Sequence, residues 1–374
     1  MSICLNMIVK NEAKNLPRLF ASLKGIVTYY VISDTGSTDN TINLIKELGK
    51  KYNIPGTIIE NEWVDFAYNR NIALNKAYEL VDLGVIQAKW FLIIDADEEL
   101  INKNKSTKIR LDSHISYKIH KLYKEISYST IALISLEQSR WHWKGSIHNF
   151  LVNDTNTPLK TSKDYFIKSH HFEGAKSKNF SNQREKSMSD ANLLKLEIEL
   201  NDNIEPIRFF IQGNEFLEFD KYVDALISYK KCLEKAHQKD LIYFSLIQIG
   251  VIYAFKEKNY SSGKEYFTKA NEILPERKEG YYYLGKIAQI TKNFIEAKNY
   301  YLQAKQISII PYNDFLYDYS IYKWKVDFDL ILVYNQLHDK RNCLELFNEI
   351  QQNCHIPERN MAMIKLLKGN LISQ

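Results

Sequence analysis

The chain has 374 residues, 45% hydrophobic and 25% charged side chains, and a formal net charge of +5. That length supports two or three domains with proper cores. The mild basic excess is compatible with anionic substrates but gives no nucleic-acid footprint. No run of about 18 apolar residues predicts a membrane span. The four scattered cysteines, Cys4, Cys232, Cys343 and Cys354, form no C-x-x-C pair. They read as free thiols of a reducing, cytoplasmic compartment.

The apolar start, Met1 to Val9, is too short for a signal sequence and lacks a basic leader, so Ser2–Val9 reads as a first strand. Strand and helix signals then alternate. Asn11–Leu23 reads as a helix with Leu16, Leu19, Phe20 and Leu23 at helical spacing. Tyr29–Ser33 reads as a strand and Asp39–Lys50 as a helix. Gly56–Glu60 follows as a strand, Asp65–Leu80 as a helix and Lys89–Ile94 as a strand. This βαβαβαβ order implies a parallel sheet covered by helices on both faces, its strand ends opening onto one edge.

Residues 115–152 are rich in Tyr, Ile, Ser and Trp and read as strands extending the sheet in antiparallel fashion. Lys160–Ser181 reads as a basic loop, and a long helix is expected from Asn182. From Glu205 the rhythm is helical and repetitive. Gly213, Ala225 and Tyr229 recur 72 residues later as Gly285, Ala297 and Tyr301. Gly250, Phe267, Ala270 and Pro275 form a unit between them, slightly out of step. Half of 72 is close to the TPR helix–turn–helix period. Asp327–Ile350 reads as a degenerate, capping repeat. The expected architecture is thus α/β plus all-α: an N-terminal domain over 1–180, a linker helix over 181–204 and helical repeats over 205–374.

Two acidic strand ends carry the chemical signal. Asp34-Thr35-Gly36-Ser37-Thr38-Asp39 joins a strand to a helix. Gly36 permits a tight turn, Ser37 or Thr38 is expected to cap the helix, and Asp34 becomes an acceptor at the ligand-binding edge. Asp95-Ala96-Asp97 follows the apolar run Trp90–Ile94. On an extended segment Asp95 and Asp97 point to the same side and suit a hard divalent cation carrying a phosphate. The competing reading makes these acids the first turn of a helix, where they complement its dipole. Arg70 is a planar donor early in the third helix.

Taken together, M-I-V-K-N-E at 7–12, V-I-S-D-T-G-S-T-D-N-T at 31–41, N-R-N-I-A-L at 69–74 and I-I-D-A-D-E-E-L at 93–100 resemble glycosyltransferase family 2. W-K-G-S-I-H-N-F at 143–150 and H-H-F-E-G at 170–174 resemble members that carry C-terminal TPR repeats. The resemblance implies a Rossmann-like GT-A fold, a nucleotide-sugar donor, usually a UDP-sugar, and Mn²⁺ or Mg²⁺. It implies nucleotide-sugar contacts from Asn11, Glu12, Asp34, Arg70, Asp95 and Ala96, with Asp34 on the base. It places the metal on Asp97 and on His171 or His170, with His171 preferred.

Related sequences often read G-x-x-H-E where this chain has Gly145 to Asn149, so the expected acid is absent. His148, Glu173 and Asp154 are then the candidate bases, His148 first. Trp141 and Trp143 read as core. The expected reaction is inverting transfer to an acceptor, a protein, peptide or glycan held by the repeats, with homodimerisation a further role for them. The alternative is a catalytically impaired nucleotide-sugar sensor acting through its repeats. A nucleotidyltransferase is disfavoured, because Lys10–Lys14 lacks the glycine-rich loop such enzymes carry.

Overall fold

The computed structural model describes residues 2–103, 111–123, 126–155, 159–170, 183–201, 204–308, 317–351 and 356–372. They fall into two compact units, the described residues up to 201 and those from 204 on. No described helix is long and apolar enough to cross a membrane.

The first unit begins with β1 (Ile3–Val9), α1 (Leu16–Leu23), β2 (Tyr29–Asp34), α2 (Thr41–Tyr52), β3 (Gly56–Glu60), α3 (Phe66–Asp82) and β4 (Trp90–Ile93). It continues through β5 (Glu98–Asn102), β6 (Ser116–Tyr123), β7 (Ile126–Ser135), β8 (Trp141–Lys144), β9 (Phe150–Asn153), β10 (Leu159–Ser169) and α4 (Gln183–Glu199). Eight strands of this unit lie side by side in the order β3-β2-β1-β4-β7-β6-β10-β5. The first four are mutually parallel. β4–β7, β7–β6 and β10–β5 are antiparallel, while β6–β10 is parallel. β8 and β9 form a separate hairpin.

Alternation along the central strands builds both faces of this sheet. Ile3, Leu5, Met7 and Val9 of β1, with Trp90 and Leu92 of β4, pack with Leu16, Leu19 and Phe20 of α1. Cys4, Phe91 and Ile93 face the other way, among Leu74, Ala77 and Tyr78 of α3 and Trp141 and Trp143 of β8. Both tryptophans are therefore core, as their sequence setting implies.

Several local expectations change. The segment from Lys160 is a strand as far as Ser169, not a loop. Its lysines obscured the pattern, and a register shift between Thr161 and Phe166 puts the alternation out of phase. The first helix starts at Leu16, five residues later than expected, because the preceding residues are a loop bonded to the β2–α2 turn. Neither Ser37 nor Thr38 caps α2, which starts at Thr41. Both instead bond Asn11: its backbone N–H donates to Ser37 Oγ (2.9 Å), and its Oδ1 accepts Thr38 N–H (2.7 Å). Asp95 to Glu98 form a turn leading into β5, so the extended placement and the helical first-turn reading both give way.

The second unit pairs helices Pro206–Glu218 with Tyr222–Lys235, Lys239–Val251 with Tyr260–Ile273, Lys278–Ile290 with Phe294–Gln306, and Val326–Gln336 with Lys340–Gln351. A last helix spans Glu358–Ile372. The recurring glycines are where aromatic rings seat. A Cβ on Gly213, Gly250 or Gly285 would lie 2.6, 2.6 or 2.5 Å from Tyr229, Phe267 or Tyr301. Small-into-aromatic packing of consecutive helix pairs is the TPR arrangement that the 72-residue recurrence predicts. The middle unit is out of step for a visible reason. Its first helix runs into a π-helical turn at Ile252–Lys256, which absorbs an extra residue between glycine and ring.

Candidate active site

The strand order reverses between β1 and β4, because the connection from β3 returns past β1. In open α/β sheets the crevice beyond the carboxyl ends of such strands is where ligands bind. Asp34 ends β2, Asn11 and Glu12 follow β1, and Asp95 to Asp97 follow β4. Topology thus gathers these sequence-distant groups at one edge.

Asp34 is 1% exposed. Its Oδ1 accepts the backbone N–H of Gly36 (2.9 Å) and Ser37 (2.8 Å), closing the tight turn that Gly36 makes at φ +95°. Its Oδ2 is buried with no hydrogen-bond partner. A buried carboxylate oxygen without a donor is costly, so this atom is open to a ligand N–H. Asn11, at φ +54°, holds the β2–α2 turn through its side chain. Glu12 is buried and accepts from Asn15 Nδ2 at 2.7 Å. Ala96 lies in the core with its side chain buried, so only its backbone can face a ligand.

Arg70 projects from the first turns of α3, which Asp65 caps by accepting Tyr68 N–H. Its Nη2 donates to Asp95 Oδ1 at 2.6 Å, and its guanidinium lies 4.7 Å from the centre of the Trp143 ring. Its Nε is buried and unpartnered. Asn71 holds Trp143 from the same helix, accepting its N–H (2.7 Å) and donating to its carbonyl (3.0 Å). The β8–β9 hairpin is thereby fixed to the helix that carries Arg70.

Burial and the neighbouring carboxylates Asp95, Glu98 and Glu12 push the Asp97 carboxyl up to about 7, with Lys121 opposing them. The backbone N–H of His170 donates to the Asp97 carbonyl at 2.9 Å, and His170 Nε2 lies 3.4 Å from Glu99 Oε2. The end of β10 therefore brings one expected histidine to the aspartate turn. His171 lies outside the described residues, as does Glu173. The clustered carboxylate oxygens are the donor type that hard divalent cations take, so this set fits such an ion.

His148 occupies the β8–β9 turn at φ +43°, a left-handed conformation rare for a side-chain-bearing residue. Its Nε2 is 3.9 Å from Asp190 Oδ2 on α4. Ser146, in the same turn, donates to Glu197 at 2.9 Å. The Nδ2 of Asn149 is buried without a partner. Asp154 is exposed. Lys121, Asn71 and Asp190 were not visible as site residues in the sequence, because each meets its partner through tertiary packing with no local motif.

Residues 4–106 match the family described as Glycosyl transferase family 2. This segment is a family 2 glycosyltransferase domain. The glycosyltransferase domain holds Asp34, Arg70, Asp95 and Asp97, while His148 and His170 lie beyond the matched segment, in the β8–β9 turn and just past the end of β10. A TPR repeat-containing protein of Synechococcus elongatus is 38% identical over 102 residues, covering 27% of this chain and 21% of that protein. An uncharacterized glycosyltransferase of Rickettsia felis is 32% identical over 94 residues, covering 25% and 28%. The matched segments thus span under a third of either relative. Among solved structures, the APC/C hetero-tetramer Cut9–Hcn1 aligns at 11% identity and a TM-score of 0.40, covering 50% of this chain and 34% of that one. MamA aligns at 13% and 0.36, covering 46% and 95%.

Proposed function

We propose that the protein is a metal-dependent glycosyltransferase that moves a sugar from a nucleotide-sugar, a UDP-sugar, to an acceptor hydroxyl with inversion. The observation that carries this reading is the carboxylate cluster at the end of β4, where Asp97 sits among Asp95, Glu98 and Glu12. In the proposed complex Asp34 Oδ2 accepts the ring N–H of the base. Arg70, held by Asp95 and the Trp143 face, donates to the nucleotide. Asp97 and His170 are the proposed metal ligands among the described residues, with His171 the further candidate. Bound Mn²⁺ or Mg²⁺ supplies positive charge against the diphosphate leaving group. His148, with Asp190 beside it, takes the proton of the acceptor hydroxyl as that oxygen attacks the anomeric carbon from the opposite face.

The repeats are proposed to hold the acceptor, a protein, peptide or glycan, on the kind of extended surface that helical repeats form. Their use as a homodimer contact, and a cytoplasmic setting for the enzyme, belong to the same proposal. Asn149 favours a second reading. Its amide cannot take a proton, and its buried Nδ2 has no partner. On that reading the domain binds the nucleotide-sugar without turnover and signals through the repeats.

The test is release of UDP from a panel of UDP-sugars with Mn²⁺, by wild type, Asp97→Ala and His148→Ala. The transferase reading expects turnover by wild type and a loss of about 100-fold or more in both variants. Tight UDP binding with no turnover of any donor and acceptor pair would favour the sensor.

A further inference from the structure

Among the described residues, the site contains a buried ion pair that the proposed chemistry does not use. Glu98, the first residue of β5, has a side chain 4% exposed, and Lys121 of β6 is 12% exposed. Lys121 Nζ donates to Glu98 Oε1 at 2.6 Å, and Glu98 Oε2 accepts the backbone N–H of Asp95 at 3.0 Å. One carboxylate therefore links a remote strand to the turn bearing Asp95 and Asp97. β10 lies between β5 and β6 in the sheet, so the pair bridges across the strand that leads to His170.

Stability does not account for this arrangement. A buried ion pair contributes little net stability, since desolvation offsets its attraction, and apolar replacements of similar size are often neutral. Here Glu98 also adds negative charge beside Asp95 and Asp97, which is unfavourable in the metal-free protein. What the pair does supply is position. The Asp95–Glu98 turn is held from three directions: by Arg70 on the Asp95 side chain, by His170 N–H on the Asp97 carbonyl, and by Glu98 on the Asp95 amide. Of these three, Glu98 is the one anchored in turn by a buried cation.

We propose that Glu98 and Lys121 are positioning residues: a buried ion pair that fixes the Asp95–Asp97 turn in the geometry that receives the divalent cation. This inference rests on the metal-dependent reading above. Partners that orient metal ligands typically account for about 10- to 100-fold in metal affinity.

The experiment compares Mn²⁺ binding by calorimetry, without donor, and thermal unfolding in metal-free buffer, using the full chain. The double variant Glu98→Leu with Lys121→Met is expected to unfold close to the wild-type temperature yet bind Mn²⁺ about 10- to 100-fold more weakly. Glu98→Asp keeps the charge and shortens the reach. It is expected to lose about 10-fold in Mn²⁺ affinity for the same reason, which keeps the test decisive if the double variant fails to fold. Wild-type Mn²⁺ affinity in a folded double variant, or in Glu98→Asp, would overturn the positioning role and leave the metal reading standing. Absence of Mn²⁺ binding by wild type would overturn both.

Discussion

Glu279 in the repeat unit and Asp97 in the α/β unit are both carboxylates set into protein, and they are treated in opposite ways. Glu279 is 3% exposed, pairs with Arg277 through both carboxylate oxygens, and accepts the hydroxyls of Tyr243 (3.1 Å) and Tyr322 (2.8 Å). Asp97 instead has three carboxylates as its electrostatic neighbours and Lys121 as the opposing charge. Nearby, Asp34 Oδ2 and Arg70 Nε are buried without partners. At Glu279 the repeat unit satisfies a buried charge from within, with Arg277, Tyr243 and Tyr322. The sheet edge leaves some of its groups waiting, which is the condition of a site that a ligand completes.

That contrast breaks first, and by the largest margin, at Glu279. Glu279→Ala strands the buried Arg277 guanidinium and is expected to destabilise the protein by about 3–5 kcal/mol in urea unfolding. Gly285→Ala comes next. The added methyl meets the buried Tyr301 ring at 2.5 Å, so the overpacking is expected to outweigh the gain in helix propensity. A loss of about 1–3 kcal/mol should appear as a lower unfolding temperature, with UDP binding unchanged.

At the sheet edge the sign reverses. The Asp97 carboxyl is raised to about 7 from an ordinary value of 3.8, so protonation favours the folded state. Without metal, this group's contribution to stability is full below about pH 4 and is lost as pH rises through about 7. Asp97→Asn is therefore expected to stabilise the metal-free protein by about 1–2 kcal/mol at pH 8, a gain that disappears near pH 4. Urea unfolding in chelator at the two pH values checks this. An equal effect at both would contradict the electrostatic account. The smallest effect is expected at Trp143→Phe, which keeps a ring but weakens the cation–π contact with Arg70. UDP affinity should fall by less than about 1 kcal/mol in calorimetry.

The sequence showed the two halves for different reasons. Alternating strands and helices to residue 100 follow directly from hydrophobic period, and the repeat from Gly213 and Gly285 recurring with their aromatics. β10 was missed because a register shift breaks its alternation and lysines interrupt it. Asp34, Arg70, Asp95 and Asp97 stood out because each ends a strand or begins a helix near a common edge. Lys121 did not, because a lysine in an alternating strand reads as solvent-facing until β10 is placed beside it. The turn at Asp95–Glu98 was also hidden, since acidic residues after a strand suit an extended end or a helix start equally well. Ser37 and Thr38 looked like caps because that is their commonest local role, yet their partner is Asn11, 26 residues away for Ser37.

The central claim is that the β4 carboxylates receive a cation together with a nucleotide. Calorimetric titration of UDP into wild type and Asp97→Asn, with and without Mn²⁺, tests it most directly. The account predicts that Mn²⁺ strengthens UDP binding to wild type by about 10-fold or more and leaves Asp97→Asn unaffected. Equal UDP affinity with and without Mn²⁺ in wild type, or the same Mn²⁺ dependence in Asp97→Asn, would contradict it.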